Sequence, residues 1–491
     1  MTLTPRPTIY GAYAHVWLRE FAQKLPGRPL TLAEVPDAEL DRLQSLGINW
    51  FWLIGAWQTG PLGRSHAVSH PDLRQQCRKI LDDFAIGDMV GSPYAVQEYR
   101  VHRALGGDEA LLALRARLAK RGIKLMLDLV PNHTACDHPW IREHPDYYVN
   151  GTLADLEAKR GFFAETVRGD GVILHGKDPY FEPWADTAQL DWRNPALVEA
   201  MTVQVEKLTG LCDGLRCDMA MLVLNDVFAK TWGPGGYPEP AFEPWSAIVS
   251  AARARAPSFV FLAEVYWSME ERLIKLGFDW VYDKVLYDRL RHDSAENVRG
   301  HLAGIGPIQP LAMRFLENHD EPRAASAFAR ARHQAAAVIA STLPGPFFVH
   351  FGQMEGRKEK LPIQLGRAPA ERVDEKLVAF YRTLLKGARS VGGQWLPLEC
   401  RPAWDDSTTS SGFLANSWTE GARHLLAAVN FADERGQCYV DLSPLSIPDG
   451  PVVLTDVLTG DTYAREGREL RTRGLYVELP AWGSHLFQFG K

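Results

Sequence analysis

Up to about residue 385, short apolar runs alternate with stretches of helical pattern, and few architectures accept that rhythm. Eight runs read as strands: Ile9–Trp17, Asn49–Ile54, Lys124–Val130, Gly214–Asp218, Phe259–Val265, Trp280–Asp283, Met313–Glu317 and Pro346–Phe351. Helical stretches lie between most of them, among them Asp108–Lys120, with Asp108 as its cap, Asn194–Leu208 and Ala335–Ser341. Eight strand–helix units are the count that closes a barrel, so the expected fold class is α/β, a (β/α)8 TIM barrel. A doubly wound open sheet is the alternative, but no Gly-rich phosphate loop follows any strand.

Two regions depart from the alternation. Residues 135–192 carry no clean strand–helix unit and are rich in Pro, Asp, Tyr, Trp and His. A segment of that length inside a compact chain is commonly functional or a small subdomain, and here it follows the third strand. After about residue 390 the pattern becomes short strands separated by turns, as in LLAAVNFA and GQCYVDL, which predicts an antiparallel β-sandwich. The expected division is therefore a barrel over 1–134 and 193–388, an inserted loop-rich domain over 135–192, and a C-terminal β-sandwich over 389–491. Leu361–Glu371 reads as a loop after the eighth strand.

Composition removes several function classes. A net charge of −6 with both signs interspersed leaves no basic stripe for nucleic acid. No run of about 18 apolar residues exists, so no membrane span is expected. The six cysteines form no C-x-x-C pair, and the N-terminus shows no basic start followed by an apolar stretch, so the expectation is a reducing cytoplasm. Fifteen tryptophans hint weakly at stacking on sugar faces, although a large core accounts for them better.

In a parallel β/α barrel, functional groups gather at the C-terminal ends of the strands. The third strand ends in Asp128-Leu129-Val130-Pro131-Asn132-His133, a carboxylate, an amide and an imidazole on one rim. The fourth gives Arg216 and Asp218, which alternation points to the same side, so the guanidinium can hold the carboxylate ionised. The fifth delivers Glu264 from an apolar strand, where desolvation raises a carboxyl pKa and suits a general acid. The seventh ends in Glu317-Asn318-His319-Asp320. Singly, each is commonplace: an Asp at a strand end is often a helix cap, and a Glu there is often solvated. Jointly, carboxylates from several strands of one barrel suit glycoside chemistry, in which a nucleophile and an acid/base flank one sugar.

These motifs resemble the α-amylase family of glycoside hydrolases and transglycosidases. DLVPNHT (128–134), GLRCDMAML (214–222), FLAEV (261–265) and FLENHD (315–320) are similar to four family regions in order, and TAQLDW (187–192) is similar to a motif near the end of the inserted domain. The resemblance implies a retaining enzyme with Asp218 as nucleophile, Glu264 as acid/base and Asp320 as the third carboxylate. It implies sugar-binding roles for His133 and His319, an orienting role for Arg216 and a structural one for Asp128. Tyr94 would stack on the same sugar, with a plain core tyrosine as the other reading. Arg323, in an NHDxPR pattern similar to members acting on small saccharides, would line the pocket or form a surface salt bridge.

The chain departs from many amylases at Met221 and Leu222, where those carry a Lys-His pair on the acceptor side. Asn132 resembles a calcium ligand of some members, but no second ligand accompanies it. No cofactor is therefore expected, and calcium is not supported. The expected partner is an oligosaccharide or polysaccharide of α-linked glucose, with no nucleic acid and no membrane; oligomeric state is left open. Hydrolysis of maltooligosaccharides is the leading function. Transfer or isomerisation through the same glycosyl-enzyme is the alternative, and a non-catalytic binding subunit is a third. Linkage, chain length and exo or endo action are left open.

Overall fold

The computed structural model describes residues 6–23, 29–158, 163–165, 172–233 and 242–490. Eight parallel strands form its centre: β1 Thr8–Tyr13, β2 Trp50–Ile54, β3 Lys124–Leu129, β4 Gly214–Cys217, β5 Val260–Ala263, β6 Trp280–Tyr282, β7 Ala312–Met313 and β8 Phe347–His350. Their order is β7-β6-β5-β4-β3-β2-β1-β8. The ring closes through a parallel bridge between Arg314 and Phe347, just beyond β7. The strands are covered on both faces, which is why β2 reads Trp-Phe-Trp-Leu-Ile with every residue buried.

The first strand is shorter than its apolar run predicts. β1 stops at Tyr13, and Ala14–Ala22 is helical. Ala14, Val16, Trp17 and Leu18 are buried in the helix as the strand residues are in the sheet, so a continuous apolar run does not mark the change. Asp108 is not the cap of its helix either. That role falls to Gly106, at φ 98°, and the Asp108 carboxylate accepts the Val101 N–H instead. Asn194 does cap Pro195–Leu208, accepting the Ala196 N–H.

The segment after β3 begins and ends in one antiparallel pair, His133–Ala135 against Thr187–Gln189. Between them, Asn150–Gly151 and Phe163–Glu165 flank Val172–Leu174 in a small sheet. A second hairpin-like pair, Trp57–Thr59 with Val96–Val101, rises after β2.

Beyond Glu375–Ala388, the last helix of the barrel, the chain turns to antiparallel strands. These are β9 Gln394–Leu398, β10 Cys400–Pro402, β11 Phe413–Glu420, β12 Arg423–Asn430, β13 Gly436–Val440, β14 Pro451–Asp456, β15 Thr462–Glu466, β16 Leu475–Leu479 and β17 Ser484–Phe489. Six form a sheet in the order β9-β11-β12-β17-β14-β15, and three form another, β10-β13-β16. Phe413, Leu426, Val440, Leu454 and Val477 lie in the core between them. The six cysteines are free, and among the described residues no helix is long and apolar enough to cross a membrane.

Candidate active site

The rim is pegged by indole N–H groups before any charged group is considered. Trp52 donates to Asp128 Oδ1 (3.1 Å), Trp57 to the Asp128 carbonyl (2.6 Å), Trp192 to the Pro131 carbonyl (3.0 Å) and Trp245 to the Ala220 carbonyl (2.8 Å). Each satisfies an acceptor that burial would otherwise strand, at a cost of about 1–3 kcal/mol. Four of the fifteen tryptophans are therefore structural. Gly55 completes the hold on Asp128: at φ +68° its N–H reaches Oδ2 (2.8 Å), and a Cβ there would meet Pro93 at 2.5 Å.

Arg216 organises the carboxylates. Wholly buried, it donates from one amino group to Asp218 Oδ1 (2.7 Å) and from the other to Glu264 Oε2 (2.7 Å), while Nε donates to the Tyr282 hydroxyl (3.1 Å). Asp128 stands 3.8 Å from the same guanidinium. One cation thus faces three carboxyls. Burial pushes Glu264 up to about 7 and Asp128 up to about 6, with Arg216 pulling both down. Burial also raises Asp218, against the opposing pull of its short bond to Arg216. Asp320 is raised too, but with its side chain 45% exposed, water screens it more than the other two.

Glu264 has unequal oxygens. Oε2 accepts both Arg216 and the Met219 N–H (2.8 Å), whereas Oε1 meets only the Tyr266 hydroxyl (2.7 Å). A proton on this carboxyl therefore resides on Oε1. Met219 reaches Oε2 from the left-handed region, at φ 43°, a strained setting for a non-glycine residue next to a reactive group.

These groups open on a cavity of about 350 Å3. Of the residues singled out from sequence, Asp218, Glu264, Asp320, His133 and Tyr94 line it. Arg216 and His319 stand behind its wall. The Tyr94 hydroxyl lies 2.5 Å from His319 Nε2, the two rings stack at 5.4 Å, and Asp320 Oδ2 is 3.1 Å from that nitrogen. Burial lowers His133 to about 4 and takes His319 well below its ordinary value, so both are neutral near pH 7. His133 packs against Trp184 at 5.1 Å. Gly176 allows its approach, since a Cβ there would lie 2.9 Å from the His133 Cβ.

Arg323 sits elsewhere. It is buried, pairs with Glu317 (3.0 Å) and donates to the Phe351 carbonyl (2.8 Å), so it is neither a wall of this cavity nor a surface pair. Met221 and Leu222 are buried core residues. The Asn132 Oδ1 accepts from Gln189 Nε2 (3.1 Å) while its Nδ2 donates to Gln189 Oε1 (3.2 Å), so the side chain is engaged within the protein. Among the described residues no group of three His, Cys, Asp or Glu side chains is arranged to hold a metal.

Several lining residues escaped the sequence reading: Trp184 and Asp186 from the inserted segment, Ile363 and Gln364 from the loop after β8, and Tyr266. Tyr266 stands two residues beyond Glu264, in the loop that follows β5. Just past it, Trp267 and Ser268 take φ 63° and 59°. The Trp267 ring meets Tyr180 edge-on at 5.1 Å, and both are exposed.

Residues 38–272 match the model for the alpha amylase catalytic domain. The chain is 27% identical over 351 residues to alpha-amylase MalA of Haloarcula japonica, covering 70% of this chain and 44% of that protein. It is 24% identical over 460 residues to the alpha-1,4-glucan:maltose-1-phosphate maltosyltransferase of Rhodospirillum rubrum, covering 89% and 60%. The chain thus spans about half the length of these curated relatives. Among solved structures, the maltogenic alpha-amylase AmyB of Thermotoga neapolitana superposes with TM-score 0.69 at 19% identity, covering 99% of both chains. The debranching enzyme of Nostoc punctiforme gives 0.66 at 17% identity, covering 100% of both. At these identities the superpositions speak to the fold.

Proposed function

The chain belongs to the α-amylase family, and on that footing we propose that it is a retaining enzyme acting on α-glucosidic bonds of maltooligosaccharides or related α-glucans. The observation that carries the reading is the grip of one buried guanidinium on Asp218 and Glu264 together, with Asp320 on the same cavity. Two carboxyls bracketed on one cation suit the short spacing, about 5–5.5 Å, of a retaining pair.

In this mechanism Asp218, kept anionic by Arg216, attacks the anomeric carbon as the glycosidic C–O bond breaks. The proton on Glu264 Oε1 passes to the leaving oxygen, and Asp218 becomes covalently bound to the sugar. Glu264, now ionised, takes a proton from the incoming water or sugar hydroxyl. That oxygen attacks the anomeric carbon and frees Asp218. The oxocarbenium-like transition states are cationic, so the Asp320 carboxylate favours them, while neutral His133 and Tyr94 add no opposing charge. A carboxyl at about 7 is well placed to give a proton and take it back near neutrality.

Transfer to a sugar acceptor is the second reading, favoured by the exposed Trp267–Tyr180 pair at the rim, whose faces suit a second glucosyl unit. Unpaired cysteines suit a reducing compartment such as the cytoplasm. Digestion of maltooligosaccharides followed by proton NMR tests the proposal. First-formed products should keep the α configuration, and β products would overturn it. Adding maltose at high concentration separates the two readings: longer saccharides mark transfer, and their absence marks hydrolysis.

A further inference from the structure

At the other end of the barrel lies a larger cleft, about 680 Å3, within the range of small-molecule sites. Its barrel wall comes from segments that lead into strands: Arg6 before β1, Pro310 before β7 and Gly345 before β8. It therefore opens at the N-terminal end, away from the carboxylates. β9 and β11 of the C-terminal sheet form the facing wall with Trp395 and Asn416.

The charge here is unbalanced. Arg6 stacks on Trp418 at 3.6 Å and donates to the Val391 carbonyl, but its second amino group is buried without a partner among the described residues. Arg389 is close enough for its charge to act on Arg6. Its bonds to Thr8 Oγ1 (3.4 Å) and the Pro7 carbonyl (3.5 Å) are long, and one of its amino groups is also unpartnered. Neither arginine forms an ion pair with a described carboxylate, whereas Arg216, Arg314 and Arg323 all do. Burial and the charge of Arg389 pull Arg6 down to about 8, and burial pulls Arg389 down to about 9. A guanidinium keeps its proton under such pressure, so what remains is uncompensated positive charge. The Trp395 indole N–H and the Asn416 carbonyl oxygen are further buried atoms without partners on residues of this cleft.

We propose that this basal cleft binds an amphipathic organic anion, its acidic head at Arg6 and its apolar body between Trp395 and the barrel floor. An anion there supplies the charge that the protein withholds, and the aromatic wall supplies contact area.

The test uses the full chain and the fluorescent probe 8-anilinonaphthalene-1-sulfonate, with N-phenyl-1-naphthylamine as its neutral counterpart. The sulfonate should bind saturably at one site, with an affinity that falls as salt is added, and the amine should bind at least tenfold more weakly. Arg6→Gln should weaken the sulfonate at least tenfold and leave the amine unchanged. Ala303→Trp, at an exposed position on the cleft, should block both probes at this site, and it serves if the arginine variant fails to fold. Both variants should hydrolyse α-glucosides as the parent does. Sulfonate binding equal in parent and variants, absent altogether, or no tighter than amine binding would overturn the proposal.

Discussion

Arg216 and Arg323 are both buried at the C-terminal end of the barrel, Arg216 among three carboxylates and Arg323 beside one, and these surroundings titrate in opposite directions. Arg216 faces Asp218, Glu264 and Asp128, an excess of negative charge beside a cavity, and all three carboxyls are raised. Arg323 faces Glu317 alone, which also bonds His350 (3.0 Å) and the Ala324 N–H (2.6 Å). Burial by itself would raise Glu317, but Arg323, His350 and the amide outweigh it and hold it below its ordinary value. Buried ion pairs therefore do not identify a reactive site. An imbalance of charge that opens on a cavity does.

The largest expected effect breaks the crowded side of this contrast. Asp218→Asn should lower kcat/KM by about 10^4-fold or more, since a nucleophile is lost. It should also lower the Glu264 pKa, because the Asp218 charge helps to raise it. Titration of the Glu264 carboxyl by carbon-13 NMR in parent and variant reads this, and an unmoved midpoint would refute the crowding account. The matched side is broken by Glu317→Gln, which leaves Arg323 buried and unpaired. Urea unfolding at pH 7 should show a loss of about 3–5 kcal/mol, with kcat within a few-fold of the parent. Because the folded pKa of Glu317 is depressed, its contribution is present above the unfolded value and disappears as pH falls through the folded one. The stability gap between parent and variant should accordingly close in acid.

The smallest effect sharpens the comparison. Tyr266 donates to Glu264 Oε1 and favours its ionised form. The parent needs Glu264 protonated for bond cleavage, so activity should fall as pH rises through about 7. In Tyr266→Phe the limb should move to higher pH, with kcat changed only a few-fold. A limb that stays put would show that the hydroxyl does not act on the acid.

The barrel was legible because β2 and β5 are apolar runs, β5 breaking off at Glu264, and parallel strands buried on both faces leave that imprint. Asp218 and Glu264 were legible because each directly follows a strand end, whereas β7 stops at Met313, short of the expected Glu317, and Asp320 stands seven residues beyond it. What escaped depends on backbone conformation or on distant partners. Nothing in Trp267-Ser268 announces two left-handed residues in succession. Trp184 reaches the cavity only because its segment folds back over the rim. Arg323 was expected in the pocket wall because its NHDxPR pattern is similar to members acting on small saccharides, but its side chain turns toward Glu317 and Phe351. Arg6 and Arg389 are far apart in sequence, and no periodicity links them.

The antiparallel clasp of His133–Ala135 with Thr187–Gln189 has a consequence for engineering. It brings both ends of the inserted segment to one seam, with His133 opposite Gln189 and Ala135 opposite Thr187. A cassette exchanged between Cys136 and Asp186 would rewrite the wall that carries Trp184 while the register at His133 stays fixed. Specificity could then be recombined from other scaffolds without disturbing the chemistry beneath.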